Sequence, residues 1–177
     1  MKQSKIFRKI DNGIYYFKIV EYSPNQVYSE LVLQEKQKGF RQVIINSEIM
    51  IKILSKVLTK EDFVVREIKF NSTVDKDYQE EINEICKSIT SDRSELGNLI
   101  AKLAWASERN SIDVEMIDMA YKSSDNFYSI KVICNGVLSG SDPANFFDDY
   151  LLKILEENLV KSIILCKILY NVLPVSH

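Results

Sequence analysis

The chain has 177 residues, 46% of them apolar and 27% charged, which is enough apolar matter for a packed core and argues against a disordered chain. A single histidine at the last position, five glycines outside any phosphate-binding pattern and three widely spaced cysteines exclude Ser-His-Asp and Cys-His catalysis, glycine-rich nucleotide loops, a zinc cluster and a disulfide framework. The net charge of −2 hides a split: residues 1–60 hold eleven Lys or Arg against five Asp or Glu, and residues 61–177 hold twelve against twenty.

The first predicted strand is "KIFRKI", residues 5–10, and "DNG" at 11–13 supplies a hairpin turn because Asn and Gly tolerate positive φ. "IYYFKIVEY" is the second strand, "SPNQ" a turn, "VYSELVLQE" the third strand, "KQKG" a turn and "FRQVII" the fourth strand. Asn46 or Ser47 then caps a helix whose Met50, Ile53, Leu54 and Val57 form one apolar stripe. "FVVREIKF", residues 63–70, reads as a fifth strand. Tyr78, Ile82, Ile85 and Ile89 recur at helical spacing. A further helix begins at the capping pair Asp92 and Glu95 and carries Leu96, Leu99, Ile100 and Leu103. "SIDVEMIDMAYK" is predicted as a short helix capped by Ser111, and "NFYSIKVICNGVLSG" as a hairpin turning at Asn135-Gly136. "SDP" at 141–143 opens a last helix running to about Val172, apolar on more than one face and so either central to the fold or a dimer interface.

These elements predict an α+β protein: a basic ββββα unit over 1–60, then an acidic, mostly helical region over 61–177 with a hairpin and a long C-terminal helix, the two packed as one domain or standing apart. No signal peptide and no membrane span is expected, and the three cysteines fit small core residues in a reducing cytosol.

Strand alternation puts Tyr15, Phe17 and Ile19 on one face, expected to meet the core with Ile6, Ile10, Leu31, Leu33, Val43 and Ile45. The opposite face collects Lys5, Phe7, Lys9, Tyr16, Lys18, Tyr22, Tyr28, Phe40 and Gln42. Rings interleaved with cations suit single-stranded DNA or RNA, since cations neutralise phosphates and rings stack on bases at roughly 1–3 kcal/mol each. The competing reading covers this face with the acidic half, leaving rings in a core and lysines at its rim.

The order of "IYYFKIVEY", "FRQVIINSE" and "IMIKILSKVL" over residues 4–58 resembles one repeat of the PUR family and is similar to half of a Whirly domain. The resemblance implies single-stranded nucleic-acid binding on the sheet, with Tyr16 in a base-stacking position, Lys18 in a phosphate-contacting one, and two repeats paired. The second half departs from that pattern, with predicted helices over 75–122 where a second repeat would place strands.

Glu67 and Lys69 form an E-x-K pattern of the kind that holds Mg²⁺ in nucleases when joined by an upstream Asp, here Asp11 or Asp62. Such a pattern arises readily on any exposed, alternating strand, and the adjacent pairs Asp148/Asp149 and Glu156/Glu157 read as solvated helix surface. The expectation is therefore a non-enzymatic protein without a cofactor, binding single-stranded nucleic acid through the aromatic and basic face, with homodimerisation through the last helix. The alternative is a small cytosolic inhibitor of a protein target, of immunity, antitoxin or phage counter-defence type, whose acidic surface over 61–177 meets a basic partner.

Overall fold

The computed structural model describes residues 1–23, 25, 27–60, 62–71, 74–109, 112–123 and 126–158. Strands β1 (Lys2–Asp11) and β2 (Ile14–Tyr22) form a hairpin over Asn12 and Gly13, whose φ values of 49° and 81° suit the two-residue turn that joins twisted strands. Helix α1 (Tyr28–Gln37) and the two-residue strand β3 (Arg41–Gln42) follow, then α2 (Ser47–Val57), β4 (Phe63–Phe70), α3 (Lys76–Ile89) and α4 (Leu96–Arg109). Strands β5 (Val114–Ser123), β6 (Asn126–Ile133) and β7 (Val137–Gly140) lead to α5, which starts at Pro143–Phe146. A π turn over Phe147–Leu151 continues α5, and the helix runs on to residue 158.

The protein is α+β. Its strands form one antiparallel sheet in the order β2-β1-β7-β6-β5-β4, with β3 also on β1. The pairing of β1 with β7 puts strands from the basic and acidic halves side by side, Lys2 opposite Gly140 and Lys5 opposite Val137. On its far side β1 changes partner midway. Beyond Lys5 it leaves β7 and pairs Phe7 and Arg8 with Gln42 and Arg41 of β3.

The inner face of the sheet carries Ile6, Ile68, Ile117, Met119, Ile130, Val132 and Leu138, all buried. Helix α2 lays Ile49, Met50, Ile53, Leu54 and Val57 into the same core, α3 adds Ile82, Cys86 and Ile89, and α4 adds Leu99, Leu103 and Ala106. Each Ile, Leu, Val or Met among them contributes about 1.5–3 kcal/mol by leaving water. Phe146, Phe147, Leu151, Ile154 and Leu155 of the C-terminal helix are buried here too, so its described part is central to the fold. Its expected continuation to Val172, with Cys166, lies outside the described residues, as does His177.

Two predicted elements differ. The predicted strand over 27–35 is instead the extended N-cap Val27 followed by helix α1. Leu31 is buried and Leu33 is 56% exposed, so residues two apart face different ways, as a 3.6-residue period demands. Residues 114–123 are a strand rather than a helix, flanked by β4 and β5's other neighbour β6. The fourth predicted strand over 40–45 shortens to Arg41–Gln42, after which Val43 and Ile45 drop into the core and Asn46 caps α2 by accepting the Ile49 amide at 3.0 Å. Among the described residues no helix is long and apolar enough to cross a membrane.

Candidate nucleic-acid interface

The hairpin register places the predicted face as expected: Phe7 sits opposite Lys18, Lys9 opposite Tyr16, Lys5 opposite Val20, and Gln3 opposite Tyr22. That face is not open. Helix α1 covers it, and most of the predicted site becomes a packed seam. Lys5 and Phe7 are fully buried, which corrects the expectation that they are exposed. Tyr22 and Tyr28 pack ring to ring at 5.8 Å, and the Tyr28 hydroxyl donates to Gln42 Oε1 at 2.6 Å. Lys18 is ion-paired with the buried Glu35 of α1, and its amine lies 4.0 Å from the centre of the Phe40 ring. Lys38 also donates to Glu35, at 3.0 Å. Burial alone would push the Glu35 carboxyl up, but the hydrogen bonds and charges of Lys18 and Lys38 outweigh it and hold the pKa below the usual value. Of the predicted set, Tyr16 is 48% and Tyr28 37% exposed, and Lys9, Lys18, Tyr22 and Phe40 are partly exposed.

A different cationic site lies beside this seam. The loop after α1 is closed by Phe40 N–H to Glu35 O at 2.9 Å and Gly39 N–H to Lys36 O at 3.0 Å, the paired bonds of a Schellman ending. This turn carries the chain back to β1 as β3, and Arg41 lands directly opposite Arg8. Two adjoining cavities result. One, of about 670 Å³, is lined by Phe7, Val32, Lys36, Gly39, Phe40, Arg41 and Gln42. The other, of about 390 Å³, is lined by Arg8, Lys9, Ile10, Gly39 and Arg41. No carboxylate is among these lining residues, and among the described residues Arg8, Lys9, Lys36 and Arg41 form no ion pair. Like charges directly across a strand pair repel, so Arg8 and Arg41 are held together at a cost that an anion between them would remove.

Sequence reasoning missed Arg8, Lys36 and Arg41. The face assignment leaves Arg8 out, and Lys36, Lys38 and Arg41 sit in a predicted turn and strand. The usable signal was the run "KQKGFR", three cations within six residues around a glycine and an aromatic.

The E-x-K pair does not gather a metal site in the fold. Glu67 and Lys69 pair with each other at 3.7 Å on β4, and Asp11 ends β1 at the opposite side of the sheet. No cluster of three or more metal-ligating side chains occurs among the described residues. Burial pushes the Cys86 thiol up to about 12 and raises that of Cys134, which leaves neither a ready thiolate.

Comparison of the chain with family models, curated proteins and solved structures returns no match.

Proposed function

We propose that the protein binds single-stranded nucleic acid, without catalysis, through the basic cleft between the β1–β2 hairpin and the α1–β3 turn. The observation that carries this reading is the uncompensated Arg8–Arg41 pair, which lines a cavity with Lys9 and adjoins one holding Lys36 and Phe40. Three features support it. The cations line two adjoining cavities rather than a single point, as contact with a phosphodiester backbone requires. Tyr16, opposite Lys9 and half exposed, offers a stacking surface beside it. Phe40 lines the larger cavity, although its other side is engaged by Lys18. A nucleic-acid ligand of this kind would place the protein in the cytoplasm, where such ligands are found.

The test is fluorescence anisotropy with labelled oligo-dT and oligo-U of about 20 nucleotides across a salt series. Binding is expected to weaken as salt rises. The Arg8→Ala/Arg41→Ala double variant is expected to reduce the slope of log K against log salt by about 1.4, since each phosphate contact on a single strand contributes about 0.7. The double variant removes a repulsion, so its thermal stability is expected not to fall. Tyr16→Ala should weaken binding by roughly 1–3 kcal/mol with little change in slope. No binding at low salt, or an unchanged slope in the folded double variant, would refute the proposal, and binding of a protein instead would favour the inhibitor reading.

A further inference from the structure

We infer that β2 is a docking edge for a second copy of this chain, through an antiparallel β2–β2 pairing centred on Phe17. The inference is independent of the nucleic-acid reading.

The hairpin sets the phase of the strand. Asp11 and Ile14 close a two-residue turn, so Ile14, Tyr16, Lys18, Val20 and Tyr22 direct their backbone groups toward β1. Tyr15, Phe17, Ile19 and Glu21 therefore direct their N–H and C=O groups to the other side. That side is the end of the sheet, and among the described residues nothing bonds those groups.

The two ends of the sheet are built differently. Edge strands are normally guarded by bulges, proline, charge or a covering element. β4, at the far edge, has register breaks between Val65 and Glu67 and between Lys69 and Phe70, and it carries Arg66, Glu67 and Lys69. β2 is nine residues long, holds an unbroken register with β1 and has no proline. Its one lysine, Lys18, is turned onto Glu35 of α1 and does not guard the edge. Helix α1 lies over the outer face of the hairpin, as its contacts at Lys18 and Tyr22 show, and does not pair with the backbone edge, which has no strand partner among the described residues.

The strand complements itself. A two-fold axis at Phe17 sets Phe17 against Phe17, Tyr15 against Ile19 and Tyr16 against Lys18 of the other copy, with Ile14 against Val20. Each hydrogen-bonded pair exchanges two backbone bonds, and no like charges meet. An axis at Lys18 would instead oppose two lysines. On the inner face Tyr15, Phe17 and Ile19 are all only partly buried in one copy, and the pairing would extend their apolar surface with the same residues of the other. The exposed Ile14 and Tyr16 gain cross-strand neighbours as well.

The experiment is light scattering with size exclusion on the full chain over a concentration series. Wild type is expected to reach twice its 20.5 kDa at tens of micromolar. Tyr15→Pro removes an outward N–H, where an edge strand tolerates proline, and is expected to weaken the dimer at least tenfold while circular dichroism stays native. Phe17→Cys provides a second readout: paired α-carbons about 5.5 Å apart lie in the range a disulfide can bridge. Mild oxidation is then expected to link the peptide bearing residue 17 to itself, as mass spectrometry would report. A monomer at 100 µM, a dimer that persists in folded Tyr15→Pro, or a linkage that avoids residue 17 would overturn the inference.

Discussion

Lys5 puts an ammonium group where the fold gives it almost nothing to bond. Its side chain is fully buried, its neighbours across the sheet are Val20 and Val137, and among the described residues its Nζ reaches a single acceptor, Val43 O, at 3.5 Å. Burial therefore pushes its pKa down from 10.5 to about 8, with Cys134 nearby raising it only in part. The folded-state pKa lies below the unfolded one, so below pH 8 the charged lysine destabilises the fold in full. Between pH 8 and 10.5 the folded protein has released a proton that the unfolded chain still holds, and stability recovers as pH rises. Lys5→Met keeps the apolar length without the charge. It is expected to raise unfolding free energy at pH 7 by about 3 kcal/mol, a gain that shrinks toward zero by pH 10.5. Urea titrations at several pH values measure this, and a gain that is constant with pH would refute it. Cys86, pushed up to about 12 from 9, works the other way above pH 9, because the unfolded thiol ionises first. It does so in both proteins and cancels in the difference. Nothing in the pattern "KIFRKI" distinguishes this lysine from Lys9 four residues on. Their different surroundings come from β7, Val43 and α1, elements distant in sequence.

At the scale of elements, legibility followed how far each segment's own periodicity decided its structure. The β1–β2 hairpin, α2 with its Asn46 cap, β4, α3, α4 and the turn at Asn135-Gly136 all carry local signals strong enough to read. Residues 27–35 misled because Val27, Leu31 and Leu33 are spaced as in a strand, while the Glu, Gln and Lys around them favour helix. Residues 114–123 misled for the converse reason. β5 is central, so Met116 and Asp118 on its outer face are buried along with Ile117 and Met119 on its inner one, and alternation disappears. The site suffered from the same error, since a strand at 27–35 would leave the Lys18 face open and the helix closes it. One tertiary contact lay beyond any local reading. Arg93, expected only as part of a helix start, donates to Leu58 O at 2.7 Å, Lys60 O at 2.8 Å and Phe63 O at 3.3 Å. It thereby ties together the carbonyls where α2 ends and the chain turns into β4, Lys60 O also accepting the Phe63 N–H at 3.3 Å. Arg93→Ala is expected to lower stability by about 1–3 kcal/mol. Arg93→Lys, which cannot reach three carbonyls with one planar fork, should recover less than half of that. Thermal unfolding of the pair measures both, and full recovery by lysine would show that charge rather than geometry matters there.

At the scale of the whole molecule, the basic and acidic halves differ in charge yet meet at one junction. Ile6 N–H donates to Gly136 O at 3.0 Å, and Val43 N–H donates to Ile6 O at 3.1 Å, so β1, the β6–β7 turn and the segment after β3 converge on one residue. Gly136 has φ +79°, and a Cβ there would sit 2.2 Å from Val43 O, which the sheet cannot yield without moving β3. The junction closes very long loops, and the inner core draws on both halves, from Ile6, Val43 and α2 on one side to Leu138 and Phe146 on the other. Among the described residues neither half holds a complete core of its own. Residues 1–60 alone would expose the inner faces of β1 and α2. The full chain is therefore expected to unfold in one transition, with a calorimetric enthalpy equal to the van't Hoff enthalpy, and a fragment of residues 1–60 is expected to show no cooperative melt. Gly136→Ala should lower stability by on the order of 3 kcal/mol, through backbone strain and the clash together, and should shift that transition as a unit. Two resolved transitions, or a Gly136→Ala effect confined to one of them, would mean that the charge boundary near residue 60 is also a folding boundary and that the shared sheet does not couple the halves.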